Sequence, residues 1–125
     1  MKHSITYEYI ADGKILVRTF TGSLSLREVA TSMDDDIEKG TIHKGLIGII
    51  NHHVDTDINI EDGDMEFVVS VYKKHLDLLI DIKWATVIDF SMVALPALLK
   101  GKNPSFNVQS FTNFSSALRW VESES

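Results

Sequence analysis

A polar stretch in the middle of the chain holds the residues best suited to coordinate a metal or to move a proton. Residues 51–57 read Asn-His-His-Val-Asp-Thr-Asp. In an extended conformation His53, Asp55 and Asp57 would point to one side, because side chains alternate along a strand. An imidazole with two carboxylates can hold a zinc- or manganese-type ion. The spacing matches no established metal motif, however, and polar clusters between periodic segments are usually loops. We therefore interpret residues 51–59 as a solvated loop and predict that no metal binds there.

A second candidate site lies where the predicted parallel strands end. In parallel sheets, ligands bind beyond the C-terminal ends of the strands. Those ends are expected to present a polar rim of Asn51, His52, Asp89 and Ser91, with Thr112 and Asn113 after the last strand. An enzyme would need these side chains to converge to hydrogen-bond distance. Ser91 and Thr112 are also explained as helix N-caps, and we favour that simpler interpretation.

Other features of the sequence exclude several classes of chemistry. Cysteine is absent, which removes thiol nucleophiles, disulfides and thiolate metal ligands. Gly101-Lys102 lacks the remainder of a P-loop, and no serine has a nucleophile elbow around it. The aspartates at 34–36 lie between apolar Met33 and Ile37, so we interpret them as a solvated helix face. The formal net charge of −6 argues against a nucleic-acid partner. We predict a protein that is not an enzyme and needs no cofactor.

Alternating strands and helices must position these residues. Asp12-Gly13 between two β-rich runs predicts a hairpin, and Ser25 with Glu28 matches a capping box at a helix start. The full order is ββαβαβαβα, with strands near residues 5–10, 15–20, 44–50, 83–88 and 106–111, and helices over 26–39, 62–80, 91–100 and after Thr112. This order is typical of a mostly parallel, five-stranded mixed sheet in one α/β domain, which we expect to span residues 1–125. No apolar run approaches the ~20 residues of a membrane span and the N-terminus does not resemble a signal peptide, so we predict a cytoplasmic protein.

The opening hairpin, the Gly22-x-Leu24-Ser25-x-x-Glu28 helix start and the closing residues 111–121 (Phe-Thr-Asn-Phe-Ser-Ser-Ala-Leu-Arg-Trp-Val) resemble the SpoIIAA-like family. These are small bacterial proteins with the STAS-domain fold, and the resemblance implies that fold here. The best-understood relatives are anti-sigma-factor antagonists, phosphorylated on a serine in an Asp-Ser-Ser-Gly stretch after the third strand. Residues 51–57 have neither the serine pair nor the glycine, so the resemblance does not extend to that switch. More distant relatives of the fold hold lipids under a helical gate.

The long predicted helix over residues 62–80 carries more apolar surface than a sheet can cover. Its apolar positions span roughly 200°, whereas a helix packed on one side needs little over ~100°. The excess positions on this helix are Phe67, Val71 and Leu78. An eight-residue apolar run follows at 92–99, from which we select Met92, Leu95 and Leu98. Three structures could cover this apolar surface. The run could fold over the helix, the run and the helix could both contact a second protomer, or they could line an opening for an apolar ligand.

These observations lead to one preferred function and two alternatives. We predict a non-catalytic binding module whose surface is formed by those six apolar residues, acting through protein association and most simply as a homodimer. A carrier or sensor of a small apolar ligand, such as an acyl chain, is the alternative. An enzyme using Asn51, His52, Asp89 and Ser91 is the third class.

Overall fold

The computed structural model describes residues 3–88 and 107–123. It contains, in chain order, β1 (Ser4–Ile10), β2 (Ile15–Ser25), α1 (Leu26–Glu38), β3 (Gly48–Asn59), α2 (Asp64–Lys74), α3 (Leu76–Leu79), β4 (Lys83–Val87), β5 (Val108–Phe111) and α4 (Phe114–Glu122). This is the predicted α/β fold with a five-stranded mixed sheet. The helix predicted over residues 91–100 lies outside the described residues. None of the helices in residues 3–88 and 107–123 combines the length and the hydrophobicity of a transmembrane segment.

The strands are hydrogen-bonded in chain order, β1-β2-β3-β4-β5. β1 and β2 form the antiparallel hairpin predicted from Asp12-Gly13. Asp12 and Gly13 have φ angles of 58° and 81°, the left-handed region that favours glycine and aspartate in such turns. The remaining pairings are parallel, so β2, β3 and β4 end at the same edge of the sheet.

The predicted capping box begins α1. Ser25 Oγ accepts a hydrogen bond from the Glu28 N–H at 3.0 Å, and Glu28 Oε1 accepts one from the Ser25 N–H at 2.7 Å. Leu26, Ala30 and Met33 follow at helical spacing and are buried. They join one core with residues of α2, α3 and alternate strand positions. The first three helices therefore cover one face of the sheet.

α4 covers the opposite face. Its buried residues Ala117 and Val121 pack against the other set of alternating strand side chains. The approach is close at Gly48, where a Cβ would clash with the Val121 side chain. The helix starts with Asn113 as N-cap, whose Oδ1 accepts from the Ser116 N–H at 2.8 Å. The expectation that Thr112 is the cap is therefore wrong.

The loop predicted over residues 51–59 is also wrong, because β3 continues to Asn59. The second half of β2 extends past Gly22 and supplies parallel partners to this segment. The register shifts between Phe20 and Gly22, where β3 carries one more residue than β2, and Asp55 adopts a φ of 49°. This is a β-bulge, which sequence polarity alone does not reveal.

The predicted helix over residues 62–80 is divided in two at His75, whose φ and ψ are −114° and 24°. His75 Nε2 lies 2.7 Å from Asp34 Oδ1 on α1. The residue at which the backbone leaves the helix is therefore also the one whose side chain connects this segment to α1. After the break, Leu79 turns into the core and is 1% exposed.

Candidate functional site

An ion pair is buried between β2 and α1. Arg18 is 0% exposed, and its Nε lies 3.3 Å from Asp36 Oδ2. The Tyr7 hydroxyl donates to Asp36 Oδ1 at 3.0 Å, and Arg18 Nη2 donates to Ser32 Oγ. Asp36 lies three positions after Met33, so it shares the buried helix face. The interpretation of all three aspartates as solvated is therefore wrong for Asp36.

Burial shifts the pKa values of three groups in this cluster, those of Arg18, Asp36 and Tyr7. Burial lowers the pKa of Arg18, and it raises the pKa of Asp36 even though Arg18 attracts the carboxylate. Burial, reinforced by Asp36, also raises the pKa of Tyr7 to about 12. Both partners of the ion pair are thus shifted towards their neutral forms. The cost of burying the two charges therefore offsets much of the attraction between them.

His53 lies beside this cluster on the same sheet face. Its ring stacks on Phe20, with centroids 4.6 Å apart and planes 12° apart. Burial first, and then the charge of Arg18, lowers the pKa of His53 to about 4. The imidazole is therefore neutral near pH 7. Asp55 and Asp57 are exposed, because the bulge turns them away from His53, so the three side chains do not point to one side as they would on a regular strand.

A pocket of about 50 Å³ lies next to His53, between the sheet and helices α1 and α2. Asn51, His53, Trp84 and Thr86 form the polar part of its floor on β3 and β4. The other lining residues are apolar: Leu26, Val29, Ala30, Ile58, Met65, Val68, Ile88 and Val108. The lining residues of β4 extend from Trp84 near its start to Thr86 near its end, and Val108 is the first residue of β5.

The structure separates two of the four residues of the predicted polar rim, Asn51 and His52. Asn51 faces the pocket, whereas the ring of His52 lies on the opposite face, 5.2 Å from that of Phe114 in α4. Adjacent strand residues point to opposite faces, which accounts for the separation. The other two members, Asp89 and Ser91, lie outside the described residues.

The predicted apolar surface is partly covered by the protein itself. Val71 is 6% exposed and belongs to the core that α1 completes. Phe67 and Leu78 are partly buried against that core, and the Arg27 guanidinium lies 4.4 Å from the Phe67 ring centroid. Helix α1 therefore covers part of this apolar surface, which the spacing of apolar residues along residues 62–80 did not predict. Met92, Leu95 and Leu98 lie outside the described residues.

A group of potential metal ligands joins α1 to α2. Atoms of Asp34, Glu38 and His75 lie within 4.8 Å of one another. The Lys74 ammonium is 3.1 Å from Asp34 Oδ1 and 3.7 Å from Glu38 Oε1. This cation already compensates the two carboxylates, so the geometry is explained as an ion-pair network between helices.

The sequence analysis missed Arg18, Asp36 and Trp84 as members of a site. Arg18 offered a signal, since it interrupts the run Ile-Leu-Val-Arg-Thr-Phe at a position that alternation places with Leu16 and Phe20. Asp36 has the spacing of a buried helix position. Trp84 gave no such signal, because an indole in a buried strand is ordinary core.

Comparison with solved structures identifies the fold. The chain superposes on an anti-sigma factor antagonist from Mycobacterium paratuberculosis with a TM-score of 0.63 and 13% identity, over 98% of this chain and 96% of that one. It also superposes on an uncharacterised DUF3478-family protein with a SpoIIAA-like fold from Shewanella loihica, with a TM-score of 0.58 and 17% identity, over 95% and 93%. The chain has a SpoIIAA-like fold. The resemblance expected from the ends of the chain is thus confirmed for this fold. No family model and no curated protein sequence matches the chain.

Proposed function

We propose that this SpoIIAA-like protein is a non-catalytic binding module that works by associating with another protein, in the first place a second copy of itself. The similarity in fold to an anti-sigma factor antagonist supports a protein partner. The cysteine-free composition fits the reducing cytoplasm, where we place its action.

The observation that carries the proposal is the apolar excess of α2. Even with α1 packed beside it, α2 and α3 keep Phe67 and Leu78 partly exposed. A stable dimer buries about 800 Å² on each partner, which is more than two partly covered side chains provide. The proposed surface therefore also includes Met92, Leu95 and Leu98, whereas Val71 belongs to the core.

The arrangement of polar groups supports a binding module over the enzyme class. Asn51 and His52 lie on opposite faces of the sheet. The buried carboxylate of Asp36 is engaged by Arg18 and Tyr7. Within the described residues, neither the Asn51–His52 pair nor the Asp36 carboxylate is placed to act as the general base for a nucleophile.

The test is the mass of the protein in solution and its response to two substitutions. Sedimentation velocity of the wild type should give about twice the chain mass of 14.0 kDa. Phe67→Gln combined with Leu98→Gln should give a folded monomer, since both changes remove apolar contact area. Val71 is unsuitable for this test because it is buried in the core.

The matched control is Ile47→Gln, which removes an exposed apolar side chain outside the proposed surface and should leave the dimer intact. Circular dichroism verifies that each variant is folded. A monomeric wild type contradicts the dimer, and a double variant that stays dimeric contradicts the surface. Native mass spectrometry of the wild type also tests the alternative, because an acyl chain or other apolar ligand held by this surface would add its mass to the monomer.

A further inference from the structure

The first strand lies at one edge of the sheet, and its outer side is open. β1 is the first member of the strand order, so among the described strands it pairs only with β2. Its residues 6–9 are all exposed. In an antiparallel pair, the N–H and C=O groups of alternate residues point away from the partner strand. β1 therefore offers a row of backbone donors and acceptors, which is a template for one more strand.

β1 lacks the features with which proteins usually protect an edge strand, such as proline, lysine, a β-bulge or a very short length. Residues 4–10 read Ser-Ile-Thr-Tyr-Glu-Tyr-Ile. Their pairing with β2 runs without a register shift from Ser4 opposite Thr21 to Ile10 opposite Ile15. β1 has seven residues, whereas β5 at the other edge has four. Of the two edges, that of β1 is therefore better suited to pairing with another chain.

Two tyrosines form a rigid border along this edge, on the side of the sheet that α1 covers. Tyr7 and Tyr9 are 44% and 45% exposed, although both hydroxyls donate hydrogen bonds. That of Tyr7 reaches Asp36, and that of Tyr9 reaches the carbonyl oxygen of Thr41 at 2.6 Å. Because each ring is held through its hydroxyl, little side-chain entropy is lost when a partner packs against it. Tyrosine is enriched at protein interfaces.

A groove of about 470 Å³ lies between β1 and α1, beside this edge. Ile5 and Tyr7 line it from β1, and Glu28, Asp35 and Lys39 are among the residues that line it from α1. Side chains on the same face of neighbouring strands lie next to each other. Alternate side chains of a strand added to β1 would therefore point toward this groove.

The charges along the edge favour a basic partner. Glu8 and Asp35 are exposed, and neither forms an ion pair with another described residue. The lysine and arginine of the groove are Lys39 and Arg27, and Arg27 is already paired with Asp64. The whole chain has a formal net charge of −6. Arginine fits this edge best, because its guanidinium also stacks on the face of a tyrosine ring.

We propose that β1 binds an extended, arginine-containing segment of a partner protein, which adds to the sheet as a further strand. The main chain of this segment exchanges hydrogen bonds with the outer side of β1. Its arginines on one face stack on Tyr7 and Tyr9 and approach Asp35, and a basic side chain on the other face pairs with Glu8. The edge shares no residue with the surface proposed for dimerisation, so either proposal can fail while the other holds.

The binding test uses the end-blocked peptide Thr-Arg-Val-Arg-Val-Arg-Thr as probe. The matched control is the same peptide methylated at the backbone nitrogens of two adjacent central residues, which blocks both of its edges and leaves its charge unchanged. Hydrogen exchange of the ¹⁵N-labelled protein reports the location. A saturating concentration of the probe should slow exchange at least tenfold at the β1 amides that point away from β2, and the methylated peptide should not.

Two variants of equal charge test the side-chain contacts. Glu8→Lys replaces an attraction by a repulsion and should weaken binding of the probe about fivefold. Glu122→Lys changes the net charge equally at an exposed position of α4, which contacts β3, β4 and β5, and should leave the affinity unchanged. Circular dichroism verifies that both variants are folded.

Four results would overturn the proposal. They are a probe that does not bind, a methylated peptide that binds as tightly, binding that leaves the outer β1 amides unprotected, and equal affinities of the two variants. Outer β1 amides that are already protected in the free protein at high concentration, and lose this protection on dilution, would show that a second copy occupies the edge. That result would overturn the proposal as well.

Discussion

Replacing His53 with glutamine should change how the stability of the protein depends on pH. The imidazole is stacked on Phe20 and lies near the buried guanidinium of Arg18. Protonating it would place a second positive charge in a poorly hydrated region. This is why burial, with Arg18 and then His52 as further causes, lowers its pKa from 6.5 to about 4. Glutamine keeps a polar side chain at the position and removes the titration.

The sign and size of the effect follow from the proton balance between the two states. Above pH 6.5 the imidazole is neutral in both the native and the unfolded protein, so the free energy of unfolding is unaffected. Between pH 6.5 and about 4, the unfolded chain binds a proton that the native protein does not, and stability falls with falling pH. The pKa difference corresponds to roughly 3 kcal/mol in full, of which about 2 kcal/mol is lost by pH 5.

Urea unfolding of both proteins at pH 7.5 and pH 5 measures this difference. The wild type should lose about 2 kcal/mol more than His53→Gln between the two pH values. Burial also lowers the pKa of His52 and raises that of Asp36, but both groups are present in both proteins, so their effects cancel in the comparison. The exposed His43, replaced in His43→Gln, provides the control and should keep the wild-type loss. Equal losses in the wild type and His53→Gln would refute the argument that His53 is held neutral.

Two further substitutions test how α4 is attached to the sheet. Gly48→Ala should lower the free energy of unfolding by roughly 1–3 kcal/mol in urea denaturation, because the new methyl group overlaps Val121. The control is Gly45→Ala, whose new methyl group meets only the movable His43 ring and should lower the free energy of unfolding clearly less. Equal losses in the two variants would contradict the close approach of α4 to Gly48. Lys83→Met should cost roughly 2 kcal/mol in the same assay, because the Lys83 ammonium donates to Trp120 O and Ser123 Oγ, both at 3.0 Å, at the C-terminus of α4. Lys44→Met, at an exposed position, is the control, and a Lys83→Met variant as stable as this control would show that water replaces the ammonium.

Features that depend on neighbouring residues in the chain could be predicted from the sequence. The Asp12-Gly13 hairpin and the Ser25–Glu28 capping box are formed by backbone preferences and hydrogen bonds within a few residues. The alternation of strands and helices follows from hydrophobic spacing, so the mixed sheet could be predicted as well. Strand order could not, because it depends on contacts between distant segments.

The candidate site depends on such distant contacts, which explains why little of it was predicted. Asn51 was identified as a polar residue at a strand end, but its separation from His52 required knowing that β3 continues through this segment. The continuation depends on β2 extending past Gly22, and the bulge at Asp55 then decides which side chains face inward. The pairing of Arg18 with Asp36 joins elements that no local pattern connects.

The sheet order also has a consequence for how the chain folds. Each strand pairs with the strand that precedes or follows it in sequence, and the widest separation between paired residues is that of Gly48 and Lys83, 35 positions apart. Closing a loop of this length adds only a modest entropic cost, because that cost grows slowly with loop length. The sheet can therefore grow one strand at a time from the hairpin, and each new strand finds its partner already in place as it leaves the ribosome.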